Sequence, residues 1–494
     1  MIKVYTNKEN YQYDLHSLIK AFYPEHDVKV YPEENIENDG PQKPVSDTES
    51  QEQAFAGIIT VRILPDSLDV IINIDSQKEY SHKFESDKDV TKNEYKLALY
   101  NILCDYTGKT LPWGNLTGIR PTKLPMGMID EGMSDEEIIK TLQDTHAVSD
   151  EKAWLSLDIA KREKKLLDSI HYKDGYSIYI GIPFCPTTCL YCSFTSYPIA
   201  VWKKRIEEYL KALFKEIDFI SETYKDKILD TVYIGGGTPT TLEAPELDLL
   251  LGYVREKLDF TNVKEFTVEA GRADSITREK LEALKKHGVT RISVNPQTMK
   301  DETLKFIGRR HTVEQVKEAY KLAREVGFDN INMDIILGLP GEVEDDVTNT
   351  IEEIKKLNPD SLTVHSLAIK RASKLNQWIE ENGIKTLHNT DSTMEIAQKG
   401  ALELEMKPYY LYRQKNMSGN FENVGYAREG KYGIYNILIM EEVQTIVALG
   451  AGSITKRVFP DGRIERCDNV KDVALYIEKI DEMIERKRKL LGME

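Results

Sequence analysis

The chain has 494 residues and a formal net charge of −16 at pH 7. That acidic balance argues against nucleic-acid binding, which needs a basic surface. The length predicts roughly two to four domains, and no apolar run reaches the ~18 residues that a membrane helix needs. The first residues lack the layout of a signal peptide, and three of the five cysteines are clustered. We therefore expect no disulfide framework and a reducing, cytoplasmic setting.

Residues 1–170 predict a separate α+β domain, because short β-rich runs mix there with helical spacing of apolar residues. The β-rich runs are 4–5, 26–31, 57–64 and 68–74, and the helical patterns are 14–22, 94–106 and about 150–170. Within this domain, residues 33–53 carry seven carboxylates and a single lysine. Such a composition is typical of a solvated loop.

Residues 171–385 show a different pattern, in which apolar strands alternate with amphipathic helices. The strands are expected at 176–182, 231–235, 265–270, 291–295, 331–337 and 362–367, with helices at 200–220, 245–258, 278–287, 313–326 and 347–357. Continuous apolar strands that alternate with helices predict a parallel sheet covered on both faces. Six such units predict an α/β fold, an incomplete (β/α)6 barrel, whose ligands bind at the carboxyl ends of the strands.

Beyond residue 385 the alternation breaks, so residues 386–494 predict a C-terminal region of helical and mixed structure on the substrate side. Helices are expected at 391–406 and 470–491, with a tyrosine-rich segment at 408–414 between them.

Three cysteines follow the first strand of the predicted barrel. Cys185, Cys189 and Cys192 are spaced C-x3-C-x2-C in a loop after the apolar run 176–182. Three thiolates can hold three irons of a 4Fe–4S cluster and leave the fourth iron open. This spacing is the signature of radical S-adenosylmethionine (SAM) enzymes. The alternatives are buried structural cysteines or a zinc site, but zinc usually takes four closely spaced ligands and no fourth lies near this loop.

Polar residues also follow the later strands at their carboxyl ends. They are Gly235-Gly236-Gly237-Thr238 after the second strand, Glu269 after the third, Asn295-Pro296-Gln297 and then Arg309 after the fourth, and Asp334 in the fifth. Glycines let a ligand approach the backbone, and a buried carboxylate such as Asp334 needs partners, of which a ligand is one. His365 on the sixth strand is more often a core histidine.

The cysteine loop, 235–240, Gln297, 307–311 and 334–340 together resemble the oxygen-independent coproporphyrinogen III oxidases, also called coproporphyrinogen dehydrogenases. The likeness covers about residues 176–454. With the leading region through Lys123, the chain is most similar to the HemZ branch of that family.

The resemblance implies a set of cofactors and contacts. Cys185, Cys189 and Cys192 would bind the cluster, and the SAM contacts would be Tyr179, Tyr191, Gly236, Gly237, Thr238, Glu269, Gln297, Arg309, Asp334 and Ile336. The implied reaction removes CO2 from propionates of coproporphyrinogen III, leaves vinyl groups and gives protoporphyrinogen IX. It needs a low-potential electron donor such as a flavodoxin or ferredoxin. Cationic partners for the propionates would come from Arg310, Lys370, Arg371, Arg413 and Arg428.

Two departures from the family pattern keep three functions open. The established oxidases carry a fourth cysteine where this chain has Phe194. In lacking that cysteine, the chain resembles the haem chaperones. The chaperones carry a haem-binding histidine where this chain has Tyr435. The chain is therefore expected to be a decarboxylating dehydrogenase, a haem-delivery protein on the same scaffold, or a radical SAM enzyme that modifies another tetrapyrrole.

Overall fold

The structure, a computed structural model, describes residues 1–35, 56–74, 79–194, 196–369, 373–382, 387–414 and 421–492. Most of the acidic segment 33–53 lies outside these ranges. The chain forms two compact units, Met1–Asp158 with Arg413–Phe421 and Ile159–Tyr412 with Glu422–Glu494. The domain boundaries expected at residues 170 and 385 stay predictions. No helix in the described ranges is long and apolar enough to cross a membrane.

The first unit contains a five-stranded sheet with helices, which agrees with the predicted α+β class. The strands are β1 Ile2–Thr6, β2 Val28–Pro32, β3 Gly57–Ile63, β4 Ser67–Ile74 and β5 Tyr80–Glu85, in the order β2-β1-β3-β4-β5. The helices are α1 Gln12–Phe22, α2 Lys92–Thr107, α3 Lys123–Asp130 and α4 Asp135–His146. A capping box between Ser134 and Glu137 begins α4, because each side chain bonds a backbone N–H that the first turn leaves unpaired. Helix α5, Asp150–Leu167, crosses the boundary between the units.

The second unit is organised around six neighbouring parallel strands. These are β6 Tyr176–Ile182, β9 Leu229–Gly236, β10 Glu265–Glu269, β11 Arg291–Ser293, β12 Ile331–Leu337 and β13 Ser361–Ser366, paired in that order, and the short pair β7 Phe184–Cys185 and β8 Tyr197–Pro198 follows β6. The helices between them are α6 Ile199–Trp202, α7 Ile206–Thr223, α8 Ala244–Lys257, α9 Arg278–Lys286, α10 Asp301–Phe306, α11 Val313–Glu325 and α12 Glu344–Leu357. This arrangement confirms the predicted sheet of six βα units.

The C-terminal residues extend this sheet at both sides, and their helices and strands agree with the helical and mixed structure expected there. The elements are α13 Lys374–Asn382, α14 Asp391–Glu403, β14 Lys407–Tyr412, β15 Asn423–Ala427, α15 Ile434–Glu441, β16 Thr445–Leu449, β17 Ile454–Val458, β18 Ile464–Asp468, α16 Val473–Glu478 and α17 Ile480–Leu490. Strand β15 pairs antiparallel with β13, and β16 pairs parallel with β6. The single closing helix expected at 470–491 is two helices, separated at Lys479.

A buried polar network fixes the end of β6, where the cysteine loop begins. Glu216 on α7 is fully buried and accepts hydrogen bonds from the Gly450 amide at 2.7 Å, from the Tyr476 hydroxyl and from the Lys487 ammonium, both at 2.5 Å. Tyr209, on the same helix, donates to the Gly181 carbonyl of β6 at 2.6 Å. Because every charge in this network is paired, the last helices hold β16 and β6 together at their carboxyl ends.

Candidate active site

The cysteine loop is held against the segment that follows α10. The Leu190 amide donates to the Ile307 carbonyl at 3.0 Å, and the Thr187 hydroxyl donates to the Gly308 carbonyl at 2.7 Å. On its other side, the Leu375 amide donates to the Leu190 carbonyl at 3.0 Å. The loop therefore has fixed backbone partners on both sides, as a loop that must present thiols in a set geometry requires.

The three cysteines are free thiols on this loop. Cys185 Sγ lies 3.5 Å from the Thr238 hydroxyl, and burial, together with the two neighbouring thiols, raises the pKa of Cys185 to about 11. Within the described ranges, no three His, Cys, Asp or Glu side chains converge on a single metal ion. A 4Fe–4S cluster does not need three side chains around one ion, because each thiolate binds a different iron. The donor set therefore fits such a cluster.

The glycine segment after β9 lies directly against the cysteine loop. The Gly237 amide donates to the Ile182 carbonyl at 2.8 Å, and the Thr238 amide donates to the Phe184 carbonyl at 2.7 Å. A Cβ on Gly237 would lie only 2.6 Å from the Phe184 carbonyl oxygen, and Gly236 has a φ of 108°. The glycines are thus required first by the close approach of this chain's own backbone.

Glu269 lies at the carboxyl end of β10 over a stack of tyrosines. The Tyr233 hydroxyl donates a hydrogen bond to Glu269 Oε1. The rings of Tyr233 and Tyr435 stack with centroids 4.4 Å apart, and Tyr179 stacks on both at 6.2 Å. Burial, reinforced by the charge of Asp334, raises the pKa of Glu269 to about 7. The carboxyl group is therefore poised to change charge near neutral pH.

Asp334 on β12 is surrounded by donors. Asn295 donates to Oδ2 and Asn332 donates to Oδ1, both at 2.7 Å. His365 Nε2 lies 3.9 Å from Oδ2, and the other ring nitrogen of His365 lies 3.4 Å from the Tyr412 hydroxyl. Burial alone would raise the pKa of Asp334, but His365 and the amide donors outweigh it and lower the pKa. Asp334 is therefore held as a carboxylate.

Gln297 adopts a backbone conformation that is rare for a non-glycine residue, with a φ of 68°. Its amide donates to the Asp334 carbonyl at 2.9 Å, and its carbonyl accepts from the Ile336 amide at 2.9 Å. These two bonds hold the strained conformation in place, as is common at functional sites. The Ile336 side chain is buried with the apolar side chains of Leu304, Ile307 and Leu339.

Arg309 and Tyr191 meet beside the cysteine loop. Arg309 donates to the Asn295 carbonyl at 2.7 Å and to the Tyr191 hydroxyl at 3.3 Å. Its Nε and the Asn295 Oδ1 atom are buried and have no hydrogen-bond partner among the described residues. Buried polar atoms normally have partners. An unmatched donor and acceptor at the carboxyl ends of the strands thus fit a polar ligand such as SAM.

Sequence reasoning missed the pair Arg272 and Asp274, which follow β10. Arg272 Nη1 lies 3.8 Å from Cys189 Sγ, while Nε and Nη2 donate to the two carboxylate oxygens of Asp274 at 2.9 and 2.7 Å. His311 Nδ1 lies 3.5 Å from Asp274 on its other side. A signal was available, because two opposite charges directly follow a predicted strand of the barrel.

The described cations that were expected to bind propionates have different surroundings. Arg310 is exposed beside Arg309, and 370–372 lies outside the described residues. In the first unit, Arg413 donates to the Leu116 carbonyl at 2.6 Å. Arg428 lies at the amino end of β13, where its side chain donates to Asn358 Oδ1 and its amide donates to the Asp360 carbonyl. The structure therefore does not support it as a substrate contact.

The comparisons with known proteins agree with this geometry. Residues 179–354 match the Radical SAM superfamily. The chain is 45% identical over 405 residues to the oxygen-independent coproporphyrinogen-III oxidase-like protein HemZ of Bacillus subtilis, which covers 81% of each chain. It is 39% identical over 196 residues to the heme chaperone HemW of the same organism, over 39% of this chain and 51% of HemW. The solved coproporphyrinogen III oxidase HemN of Escherichia coli shares the fold, with a TM-score of 0.51 at 20% identity over 65% of this chain and 72% of HemN.

The chain is a radical SAM enzyme, and members of that superfamily use a 4Fe–4S cluster and SAM. Within the superfamily, it belongs to the oxygen-independent coproporphyrinogen-III oxidase-like family that includes HemZ. The resemblance predicted from the cysteine loop and the strand ends is thus confirmed. The roles of the individual SAM contacts stay predictions.

Proposed function

We propose that this chain is an oxidoreductase that removes CO2 from propionate side chains of coproporphyrinogen III and leaves vinyl groups. Each decarboxylation would pass one hydrogen atom to the 5′-deoxyadenosyl group of SAM and one further electron to an acceptor. The observation that carries the proposal is the extent of the similarity to HemZ, an oxidase-like protein, over 81% of both chains. The similarity to the heme chaperones named HemW covers less, 39% of this chain for that of Bacillus subtilis and 59% for that of Escherichia coli. A relationship that extends well beyond the barrel includes residues outside the cofactor site, where a substrate is selected.

In this proposal Cys185, Cys189 and Cys192 hold the cluster and leave its fourth iron to SAM. When bound, the cluster and SAM supply one-electron reduction and abstraction of a hydrogen atom from the substrate. This chain's own residues bind and orient them. Cys185 must lose its proton to bind iron, and burial alone opposes that loss. Iron binding compensates for it, so cluster assembly releases protons.

The polar residues at the strand ends have complementary roles toward SAM. The Glu269 carboxylate, held by the Tyr233 hydroxyl, accepts hydrogen bonds from ribose hydroxyls. Arg309 uses its unmatched Nε as a donor, and Asn295 uses its unmatched Oδ1 as an acceptor. Asp334 holds the Asn295 amide at 2.7 Å and thereby fixes which way that acceptor points. The stacked rings below Glu269 exclude water from one side of the ligand.

Product analysis under strict anaerobiosis tests the proposed reaction. Reconstituted protein, SAM, a low-potential reductant and coproporphyrinogen III are incubated, and the tetrapyrrole is followed by mass spectrometry. We expect 5′-deoxyadenosine together with a product lighter by CO2 and two hydrogens for each vinyl group formed. The Cys189→Ala variant is the inactive control, and Cys104→Ala, which alters a partly buried thiol in the core of the first unit, is the matched active control. SAM cleavage without loss of CO2 would overturn the proposed substrate.

A haem-delivery function is a second candidate, and one residue favours it. Phe194 stands where the established oxidases have a fourth cysteine, and its side chain is 70% exposed. Tyr435 argues the other way, because it stands where the chaperones have a haem-binding histidine, and it is buried in the tyrosine stack. A delivery protein would bind haem stoichiometrically, pass it to an apo-acceptor and make no coproporphyrinogen-dependent 5′-deoxyadenosine. Haem consumed together with SAM would instead indicate an enzyme that modifies another tetrapyrrole.

A further inference from the structure

The three cysteine thiols have different electrostatic surroundings. Cys185 lies beside a neutral hydroxyl, that of Thr238 at 3.5 Å. Cys189 lies 3.8 Å from the guanidinium of Arg272 and also interacts with Arg309. Both arginines are buried, with 3% and 8% of their surface exposed. Two buried positive charges thus approach Cys189, and the charge of Arg272 also acts on Cys185.

Hydrogen bonds from all three guanidinium nitrogens hold Arg272 in this position. Its Nη1 also donates to the Thr187 carbonyl at 3.0 Å and to the Thr187 hydroxyl at 2.9 Å, within the cysteine loop. Its other two nitrogens form a bidentate pair with Asp274. A bidentate pair fixes the plane of a guanidinium as well as its distance. The side chain therefore links the loop after β10 to the cysteine loop in one orientation.

The negative charge of Asp274 partly offsets the positive charge of Arg272. It is paired with Arg272 on one side and faces the buried His311 on the other at 3.5 Å. The Arg272 side chain is 3% exposed and the Asp274 side chain is 17% exposed, so solvent screens the charges of this pair only in part. Arg272 and Asp274 thus form a dipole whose positive end points toward Cys189.

We infer that Arg272 is a positioning residue that raises the reduction potential of the cluster through Cys189, and that Asp274 limits the size of that effect. Hydrogen bonds and positive charge near a cluster sulfur stabilise the reduced, more negative form. The arrangement makes the cluster easier to reduce by a given donor. This inference rests on the proposed cluster ligands, and it adds a function for two residues to which the SAM site gives none.

Redox titration of the reconstituted protein, followed by electron paramagnetic resonance, tests this inference without relying on turnover. In Arg272→Gln, which removes the charge and keeps a donor, we expect the midpoint potential to fall. A tenfold loss of the reduced form at fixed ambient potential corresponds to about 59 mV for a one-electron couple. Arg272→Lys retains the charge without the planar fork, and we expect a smaller fall. Asp274→Asn removes the opposing charge, and we expect a rise.

Arg291→Gln is the matched control. Arg291 is equally buried, with 3% exposed, and bonds to Asn330 at 2.8 Å and Ser361 at 2.9 Å at the amino ends of the strands. We expect its midpoint potential to equal that of the parent.

The outcomes separate the inference from the site assignment on which it rests. A parent protein that binds no cluster, or one whose cluster survives Cys189→Ala, overturns the ligand assignment. A parent with a normal cluster and an unmoved potential in Arg272→Gln overturns the inference alone. If Arg272→Gln fails to assemble a cluster, Asp274→Asn decides, because an unchanged or lower potential in that variant contradicts the proposed effect.

Discussion

The two edges of the parallel sheet contain buried charges of the same kinds but treat them differently. At the amino edge, Asp230, Glu265 and Asp360 each accept hydrogen bonds from partners within the chain. Arg291 at that edge donates to three oxygens. At the carboxyl edge, Arg309 Nε, Asn295 Oδ1 and His311 Nε2 are buried without a hydrogen-bond partner among the described residues.

The two edges differ in whether their buried polar groups are paired within the chain, and we attribute this difference to ligand binding at the carboxyl edge. A buried polar group without a partner costs about 1–3 kcal/mol, so such groups persist where a ligand supplies the missing bond. At the amino edge, Asp230, Glu265, Asp360 and Arg291 have their partners within the chain. Unmatched polar atoms therefore indicate the ligand side of this sheet more directly than charge does, since both edges are charged.

The strongest test of this comparison removes the feature that only the carboxyl edge has, its thiols. We expect Cys189→Ala to lose the cluster and with it all SAM cleavage, because two remaining thiols cannot hold three irons. Iron content and 5′-deoxyadenosine formation measure both effects. Cys467→Ala, which changes a half-buried thiol on β18, serves as the control and should retain both.

A second test removes polar groups of the carboxyl edge and leaves the thiols intact. We expect Asp334→Ala and Arg309→Ala to keep near-normal iron content but to bind SAM about 10- to 100-fold more weakly, since a hydrogen bond to a charged group contributes about 1.5–3 kcal/mol. Equilibrium binding of SAM to the reconstituted variants measures this. Parent-like affinity in both variants would mean that these groups are structural, and the comparison between the edges would lose its basis.

Much of the carboxyl edge could be predicted from the sequence, because local sequence patterns indicate its strands and loops. The expected bounds 176–182 and 331–337 coincide with β6 and β12, since each is a mostly apolar run followed by a residue that ends a strand, Pro183 in the first case and Gly338 in the second. The cysteine spacing and the polar residues after successive strands follow the same logic. Parallel strands bring their carboxyl ends together whatever lies between them.

What could not be predicted depends on contacts between distant parts of the chain. Strand β16 has five residues, and its partner β6 lies far earlier in the sequence, so no local period announces the pairing. Arg272 looks like a loop residue until the fold brings Cys189, 83 positions away, within 3.8 Å of it. The break at Lys479 is likewise invisible in the helical spacing of 470–491.

A third test uses the charge change of Glu269. Its pKa is raised from an ordinary 4.5 to about 7, so the group is mostly neutral below pH 7 and ionised above it. The carboxylate is the stronger acceptor, and we therefore expect SAM affinity to rise with pH through about 7. In Glu269→Gln, affinity should be low and this dependence absent, as binding measured from pH 6 to 8 would show. In His365→Gln the pH dependence should persist with its midpoint moved upward, because the charge of His365 lowers the pKa of Glu269. A parent-like pH profile in Glu269→Gln would contradict the assignment.

The smallest effect on the site is expected from the amino edge. Asp360 accepts from the Ile331 amide at 2.8 Å and pairs with Arg324 at 2.7 Å. Asp360→Asn can keep the first bond and loses the charge that holds Arg324. Since an uncompensated, partly buried charge is left, we expect the free energy of unfolding to fall by about 1–3 kcal/mol.

SAM affinity and iron content of the folded variant should match the parent, because no amino-edge group contacts the ligand in our proposal. Chemical denaturation measures the first effect, and equilibrium binding measures the second. Weaker SAM binding at unchanged iron content would show that the two edges are coupled, and the division between a structural and a ligand-binding edge would then be wrong.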